Sequence, residues 1–165
     1  MKQELDNYLV QKYPKIFANR YADKTKTAMC WGFEHDDGWF WIIDQLCESI
    51  QNYIDSNNVS QVVATQVKEK FGTLSFYYEG GDDLIAGMVW LAEHMSGNVC
   101  EICGSIENVG STSGWITTLC KNCHETNEKF TNYKWSLNKN NPPAGLTIAL
   151  RKIKLDKLNQ PKNMI

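Results

Sequence analysis

Apolar residues recur every three or four positions in two stretches of the chain, the spacing of a helix that buries one face. One stretch predicts a helix near residues 38–55, with Asp36 and Asp37 as candidate caps at its start. The other predicts a helix near residues 83–95, after the break at Gly80–Gly81. A shorter amphipathic helix is predicted at the N-terminus, interrupted near the first proline. Each apolar stripe needs a second surface to cover it.

Between the two longer helices the apolar period changes from three or four to two. Alternating residues run through Val67 and again from Leu74, with Phe71 and Gly72 between the two arms. Alternation of this kind is typical of strands that bury one face. The pattern therefore predicts a β-hairpin over residues 62–79.

Four of the six cysteines form two C-x-x-C pairs separated by sixteen residues, which is the spacing of a four-cysteine zinc site. Two residues between ligands allow a tight turn to direct both sulfurs at one ion, and the second pair completes a tetrahedron. Four thiolates leave no open position for a substrate, so we expect one structural Zn²⁺. The predicted ligands are Cys100, Cys103, Cys120 and Cys123. The two remaining cysteines, Cys30 and Cys47, are expected to be small buried side chains.

The residues around these cysteines predict a knuckle closed by Gly104, a hairpin arm through Trp115 and a helix that continues to Phe130. Residues 98–131 thereby resemble treble-clef zinc fingers, including the GATA-type members. The resemblance implies the metal site and the order of the elements. It leaves function open, because treble clefs bind DNA, bind proteins and support nucleases.

Together these patterns predict an α+β fold in three parts. Residues 1–97 form a small body of helices and a β-hairpin, and residues 98–135 form an appended treble-clef zinc finger with four cysteine ligands. Residues 136–165 form a linker and a basic C-terminal segment, since the stretch from Ser136 to Gly145 is rich in Asn, Pro and Gly. The segment after the linker is compatible with either a strand or a helix.

Charge is distributed unevenly along the chain. Residues 1–97 carry eight Lys and Arg against fourteen Asp and Glu, residues 98–135 three against four, and residues 136–165 six against one. A body of net −6 and a finger of net −1 lack the positive face of a typical nucleic-acid binder. The body is therefore expected to bind protein.

The sequence also indicates whether the protein is an enzyme and in which cellular compartment it acts. No phosphate-cradling or nucleophile-elbow motif occurs, so we predict a protein that is not an enzyme. The acidic cluster from Glu34 to Asp37, which includes His35, is interpreted as a loop and helix cap in preference to a metal or general-base site. No apolar run follows the charged first residues, so a reducing cytoplasm is expected, with no membrane association.

Aromatic residues exceed what the predicted elements can bury. A narrow helix stripe cannot cover Trp39, Phe40 and Trp41 together, and one hairpin face cannot cover both Tyr77 and Tyr78. Exposed Trp and Tyr commonly anchor protein partners. The predicted partner-binding residues are Trp39, Trp41, Tyr77, Lys68 and Lys70.

Four segments resemble a group of small proteins encoded in bacteriophage and prophage genomes. They are Gly38–Asp44, Val67–Leu74, the Cys100-Glu101-x-Cys103-Gly104 knuckle and Trp115-x-x-Thr118-Leu119-Cys120. The resemblance implies an accessory phage protein that acts in the bacterial cytoplasm. Such proteins often bind and neutralise host factors, including defence systems, so the expected partner is a bacterial host protein.

Two alternatives remain open. The first is a DNA- or RNA-binding module in which the basic C-terminal segment grips the phosphate backbone beside the finger, through Arg151, Lys152, Lys154 and Lys157. The second is capture of a nucleotide signal by Trp39, Trp41 or Tyr77, for which Lys68 and Lys70 are the nearby positive charges. Oligomeric state is not fixed by the sequence.

Overall fold

The structure is a computed structural model that describes residues 1–139. It has an α+β fold, as predicted, built from four helices and two small sheets within that range. The predicted linker residues 140–145 and the basic segment 146–165 lie outside the described residues. The elements are α1 (Gln3–Lys12), β1 (Phe33–Glu34), α2 (Phe40–Ser56), β2 (Val63–Lys70), β3 (Thr73–Glu79), α3 (Asp83–Ser96), β4 (Val109–Thr112), β5 (Thr118–Cys120), α4 (Lys121–Thr126) and β6 (Trp135–Leu137).

The predicted hairpin is strands β2 and β3, joined by a two-residue turn at Phe71 and Gly72. Both turn residues have positive φ, 53° and 82°, the conformation that matches the twist of a two-residue hairpin. A third strand, β1, pairs in parallel with the outer edge of β2, with Phe33 opposite Val67. This strand was not predicted, because two residues are too few to show a period.

Helix α2 buries most of its predicted stripe, whereas α3 buries Ile85 and Ala92 of its stripe and leaves Leu84, Leu91 and Met95 more than half exposed. Helix α2 packs on α3, and α3 packs on β3. The side chain of Asp82 accepts a hydrogen bond from the backbone N–H of Ile85 and so caps the N-terminus of α3. The core of the body, residues 1–97, is assembled from the buried faces of these elements, and its largest buried side chains include Leu9, Phe17, Met29, Trp39, Ile43, Ile50, Val67, Leu74 and Ile85.

The predicted caps of α2 have a different function. A short 3-10 turn over Asp37–Trp39 precedes α2, and no side chain caps that helix. Asp37 Oδ1 instead accepts a 2.8 Å hydrogen bond from the backbone N–H of Lys2, at the start of α1. The carboxylate therefore stabilises the N-terminus of a helix that is distant in sequence.

Residues 98–138 form a second unit, called here the cysteine unit, with its own sheet in the order β5-β4-β6. Two predictions fail in it. Helix α4 ends at Thr126, before Phe130, and the backbone N–H of Asn127 closes it by bonding to Cys123 O. Ser136 and Leu137, assigned to the linker by composition, lie in β6 because their backbone pairs with β4.

The body and the cysteine unit are joined by buried polar contacts. Trp39 Nε1 donates to Val99 O at 2.9 Å, and the backbone N–H of Gly38 donates to Glu101 O at 2.7 Å. Thr118 Oγ1 donates to Gly72 O at 2.6 Å. Within residues 1–139, no helix combines the length and apolarity required to cross a bilayer.

Candidate metal centre

Three short elements bring the four cysteines together. Cys100 opens a tight turn in which the backbone N–H of Gly104 returns to Cys100 O at 2.9 Å, with Gly104 at φ +75°. Cys120 ends β5 and is also the N-cap of α4, and Cys123 follows in the first turn of that helix. The backbone N–H of Glu101, between the first two cysteines, donates to Thr118 O at 2.9 Å, so the first pair is held against β5, which carries Cys120.

The four sulfur atoms lie at metal-binding distances from one another. All are within 4.8 Å of each other, and Cys103 Sγ and Cys120 Sγ are 3.7 Å apart. A tetrahedral ion with metal–sulfur bonds of about 2.3 Å separates its ligands by about 3.8 Å. All six cysteines are free thiols, and 3.7 Å is far longer than a disulfide bond of about 2.05 Å. The cluster is therefore a candidate site for one metal ion.

Burial makes two of these thiols, Cys100 and Cys123, difficult to ionise without a cation. It raises the pKa of Cys100 to about 11 and also raises the pKa of Cys123. At Cys103 burial acts in the same direction, but hydrogen bonds from the Ser105 backbone and the neighbouring thiols hold the pKa below its ordinary value. A divalent cation bound among the four sulfurs would lower the pKa values of these thiols, because a coordinating thiol is deprotonated outright.

Two further residues with side chains that can bind a metal, His124 and Cys47, lie outside the cluster. His124 Nε2 bonds to Tyr133 O at 2.9 Å and does not belong to the cluster. Cys47 is fully buried in the body, where desolvation raises its pKa. Within the described part of the chain, the four predicted cysteines are the only group of three or more potential ligands close enough to share an ion.

No family model, curated protein or solved structure matches this chain. The metal centre therefore rests on the geometry of its own four thiols.

Trp39 is not a partner-binding residue. Its side chain is 0% exposed, because the 3-10 turn before α2 directs it into the core while its indole N–H reaches Val99. Trp41 lies two residues further on and is 64% exposed. The prediction that these rings cannot all be buried was correct, and the structure identifies Trp41 as the exposed one.

The remaining predicted partner-binding residues do not form a single site. Trp41 lies on the helical side of the body, in a groove of about 230 Å³ between α2 and α3. Tyr77 is exposed on β3, where its hydroxyl accepts a 3.3 Å hydrogen bond from Lys70 Nζ, and Lys68 lies half-buried on β2. None of the three hairpin residues lines the groove. Arg151, Lys152, Lys154 and Lys157 lie outside the described residues.

Sequence reasoning missed a cavity of about 340 Å³ at the junction of the body and the cysteine unit. It includes part of the acidic cluster that was interpreted as a cap. The carboxylates that line this junction cavity are Glu34, Asp36, Glu69 and Glu101. They come from segments far apart in sequence, and the two acidic residues at positions 34 and 36 were the only local signal.

Two buried groups distinguish the junction cavity from an ordinary acidic surface. Glu101 is buried, which raises its pKa to about 7, and it accepts a 3.3 Å hydrogen bond from the backbone N–H of Asp36. His35 is 6% exposed, and burial lowers its pKa to about 4, so the imidazole is neutral at pH 7.

Proposed function

We propose that this chain is a zinc-stabilised, non-enzymatic accessory protein of the bacteriophage type that binds a bacterial host protein. The observation that carries the proposal is the groove between α2 and α3. Trp41, Leu91 and Met95 on its walls are each more than half exposed. Exposed apolar surface of this kind marks interaction sites in soluble proteins.

The composition of the groove favours a protein partner over a nucleic acid or a nucleotide. Trp and Met are enriched at protein interfaces, and Met adapts its shape to a partner. No charged side chain is among the described residues that line the groove, so nothing there would hold a phosphate. Trp90, 65% exposed on the same helix, and Leu84 extend the apolar surface of α3.

Zinc is the metal that best fits the cysteine cluster. Soft thiolate ligands in a tetrahedral set select zinc or iron, and four of them leave no open position for a substrate. We infer that the ion has a structural role, holding a treble-clef zinc finger over residues 98–131. The turn, hairpin and short helix around the cysteines follow the order of that family.

The phage setting and the host partner are inferred from the resemblance of the four sequence segments. One tryptophan and two glycines in these segments form contacts between the body and the cysteine unit. Trp39 and Gly38 contact the cysteine unit, and Gly72 accepts a hydrogen bond from Thr118. Proteins that share these four segments would therefore be expected to share the contact between the body and the finger.

Affinity purification from nuclease-treated bacterial lysate tests the proposal. We expect one host protein in stoichiometric amount with the unaltered chain, and its loss with Trp41→Ala and with Leu91→Ala. Trp31→Ala is the matched control, because Trp31 is 66% exposed and lies outside the groove. Recovery of nucleic acid, or capture that is indifferent to Trp41 and Leu91, would contradict the proposal.

A further inference from the structure

The four carboxylates of the junction cavity lack cationic partners. None of Glu34, Asp36, Glu69 and Glu101 forms a salt bridge with a cation among residues 1–139. Two positive groups line the same cavity, and Lys129 acts on Glu101 through space, but neither forms an ion pair with the four carboxylates within the described residues. The Met1 amine donates to the carbonyl oxygens of Phe33 and His35, and Lys129 Nζ lies 5.1 Å from the centre of the Phe130 ring.

His35 gives independent evidence of an absent hydrogen-bond donor. Its Nδ1 lies 2.7 Å from Asp36 O, and because a carbonyl only accepts, Nδ1 carries the proton. In a neutral imidazole Nε2 is then an unprotonated acceptor. Nε2 is buried and has no hydrogen-bond partner in the described chain. A buried acceptor without a donor is costly, typically about 1–3 kcal/mol, and because His35 is one of the residues that line the junction cavity, a group bound there is the nearest source of a donor.

An aromatic ring completes the cavity wall. Trp115 is exposed and lines the junction cavity together with Glu69. Trp is the aromatic side chain that attracts cations most strongly through its face. Trp115 also borders a second depression, in which Phe71 and Ile116 are exposed apolar side chains and Glu69 and Lys70 are the charged ones.

We propose that the junction cavity binds a basic side chain of the partner protein, with arginine as the best fit and apolar neighbours resting on Phe71 and Ile116. A guanidinium offers five N–H donors in a planar fork, which suits several acceptors in different directions, and it stacks on aromatic faces. The volume of about 340 Å³ is at the lower end of the range for ligand sites, about 300–1,000 Å³.

This inference rests on the proposed function only in assigning the basic side chain to a protein. The cavity itself is separate from the groove, and no residue lines both. It also depends on the metal, because Glu101 lies between two of the cysteines and Trp115 belongs to the loop that joins β4 and β5.

The test uses the full chain loaded with zinc and three short peptides observed by NMR titration. The peptides are acetyl-Leu-Arg-Leu-amide, its citrulline counterpart, which has the same shape without charge, and its glutamate counterpart. We expect saturable binding of the arginine peptide, with shifts at Trp115 and His35, and affinity at least about ten times weaker for the other two. Equal affinity for the citrulline peptide, or no saturation with the arginine peptide, would overturn the inference.

Exposed residues provide variants that leave the fold intact. Glu34→Gln, Asp36→Asn and Trp115→Ala should each weaken the arginine peptide several-fold, with unchanged circular dichroism and zinc content. Glu107→Gln is the matched control, because Glu107 is an exposed carboxylate of the cysteine unit outside the cavity. An equal loss of affinity for the arginine peptide in Glu107→Gln would also refute binding in the junction cavity. Peptide binding without host-protein capture would support this inference and contradict the proposed function. Host-protein capture without peptide binding would support the proposed function and contradict this inference.

Discussion

Trp39 Nε1 donates a 2.9 Å hydrogen bond to the carbonyl oxygen of Val99, the residue immediately before the first cysteine of the metal cluster. The indole is fully buried, so one side chain belongs both to the core of the body and to the attachment of the cysteine unit. Another large apolar residue could fill the same space in the core, but only tryptophan also supplies the N–H donor for Val99 O.

Trp39→Phe should destabilise the protein by about 2–3 kcal/mol, because it leaves a cavity and removes the donor for Val99 O. Chemical denaturation followed by circular dichroism measures the loss. Trp41→Phe is the control and should stay within about 0.5 kcal/mol, since Trp41 is mostly exposed. Similar losses in the two variants would be inconsistent with the buried position of Trp39.

The chain purified without added metal should contain about one zinc ion, measured by elemental analysis. Cys120→Ser should reduce the metal content to near zero and unfold residues 98–138, because structural zinc contributes about 10–16 kcal/mol in small zinc peptides. Cys30→Ser should keep the full content, since Cys30 is a free thiol outside the cluster. A folded, metal-free protein, or one that holds iron, would refute the zinc assignment.

Gly38→Ala should separate the body from the cysteine unit. A Cβ at this position would lie 2.1 Å from Cys100 O and 2.5 Å from the Gly104 nitrogen, both of them backbone atoms that cannot move independently. We expect a loss of about 1–3 kcal/mol and faster release of the metal to a chelator.

Gly87→Ala is the matched control for that substitution. Gly87 is exposed in the middle of α3, and a Cβ there has no neighbour within 4 Å. Alanine should therefore stabilise the helix by about 0.5–1 kcal/mol. Thermal unfolding should show opposite signs for the two glycines, and two shifts of the same sign would contradict the structure.

The contribution of His35 to stability should fall as the pH decreases from about 6.5 to about 4, and Glu101, whose pKa burial raises to about 7, acts in the opposite direction over the same window. Burial lowers the folded-state pKa of His35 from 6.5 to about 4, so in this window the unfolded chain binds a proton that the folded chain does not. The contribution of His35 is constant above pH 6.5 and decreases below it, by about 2 kcal/mol between pH 7 and pH 5.

His35→Gln should remove this contribution, so between pH 7 and pH 5 the stability of the variant should decrease less, or increase more, than that of the unaltered chain, whatever the effect at pH 7. Denaturant unfolding at pH 7, 6 and 5 gives the slope. His94→Gln should keep the slope of the unaltered chain, because His94 is exposed on α3. An unchanged slope in His35→Gln would show that the imidazole is not buried in the neutral form.

Phe71→Asn should stabilise the hairpin by about 0.5–1 kcal/mol, since Phe71 is 77% exposed and has a positive φ that asparagine tolerates better. If Phe71 contributes to the interface of the junction cavity, the same variant should bind the arginine peptide more weakly. A gain in stability with a loss of binding is the result expected when a strained residue is kept for recognition.

The sequence was sufficient to predict the elements that repeat a period over many residues. Helices α2 and α3 and the β2–β3 hairpin each present an apolar stripe, and the turn at Phe71 and Gly72 separates the two strands. The cysteine spacing predicted which four thiols lie together for a similar reason, because two residues between cysteines restrict the geometry locally.

Features that depend on partners distant in sequence could not be predicted. Asp37 caps α1 instead of α2, because its carboxylate meets the backbone of Lys2. Strand β6 forms because Ser136 and Leu137 find the free edge of β4, although their composition is that of a loop. The junction cavity joins residues from positions 1 to 130, so only the assembled fold reveals it.

Three hydrogen bonds cross from the body to backbone or side chains within two residues of a metal ligand, at Val99, Glu101 and Thr118. If metal binding stabilises the folded body, then by thermodynamic linkage the folded body increases the metal affinity of the cluster by the same free energy. A cysteine unit separated from the body would therefore bind an ion more weakly. Metal affinity would then be a property of the whole protein, and a partner that stabilises the contact between the body and the cysteine unit would also raise it.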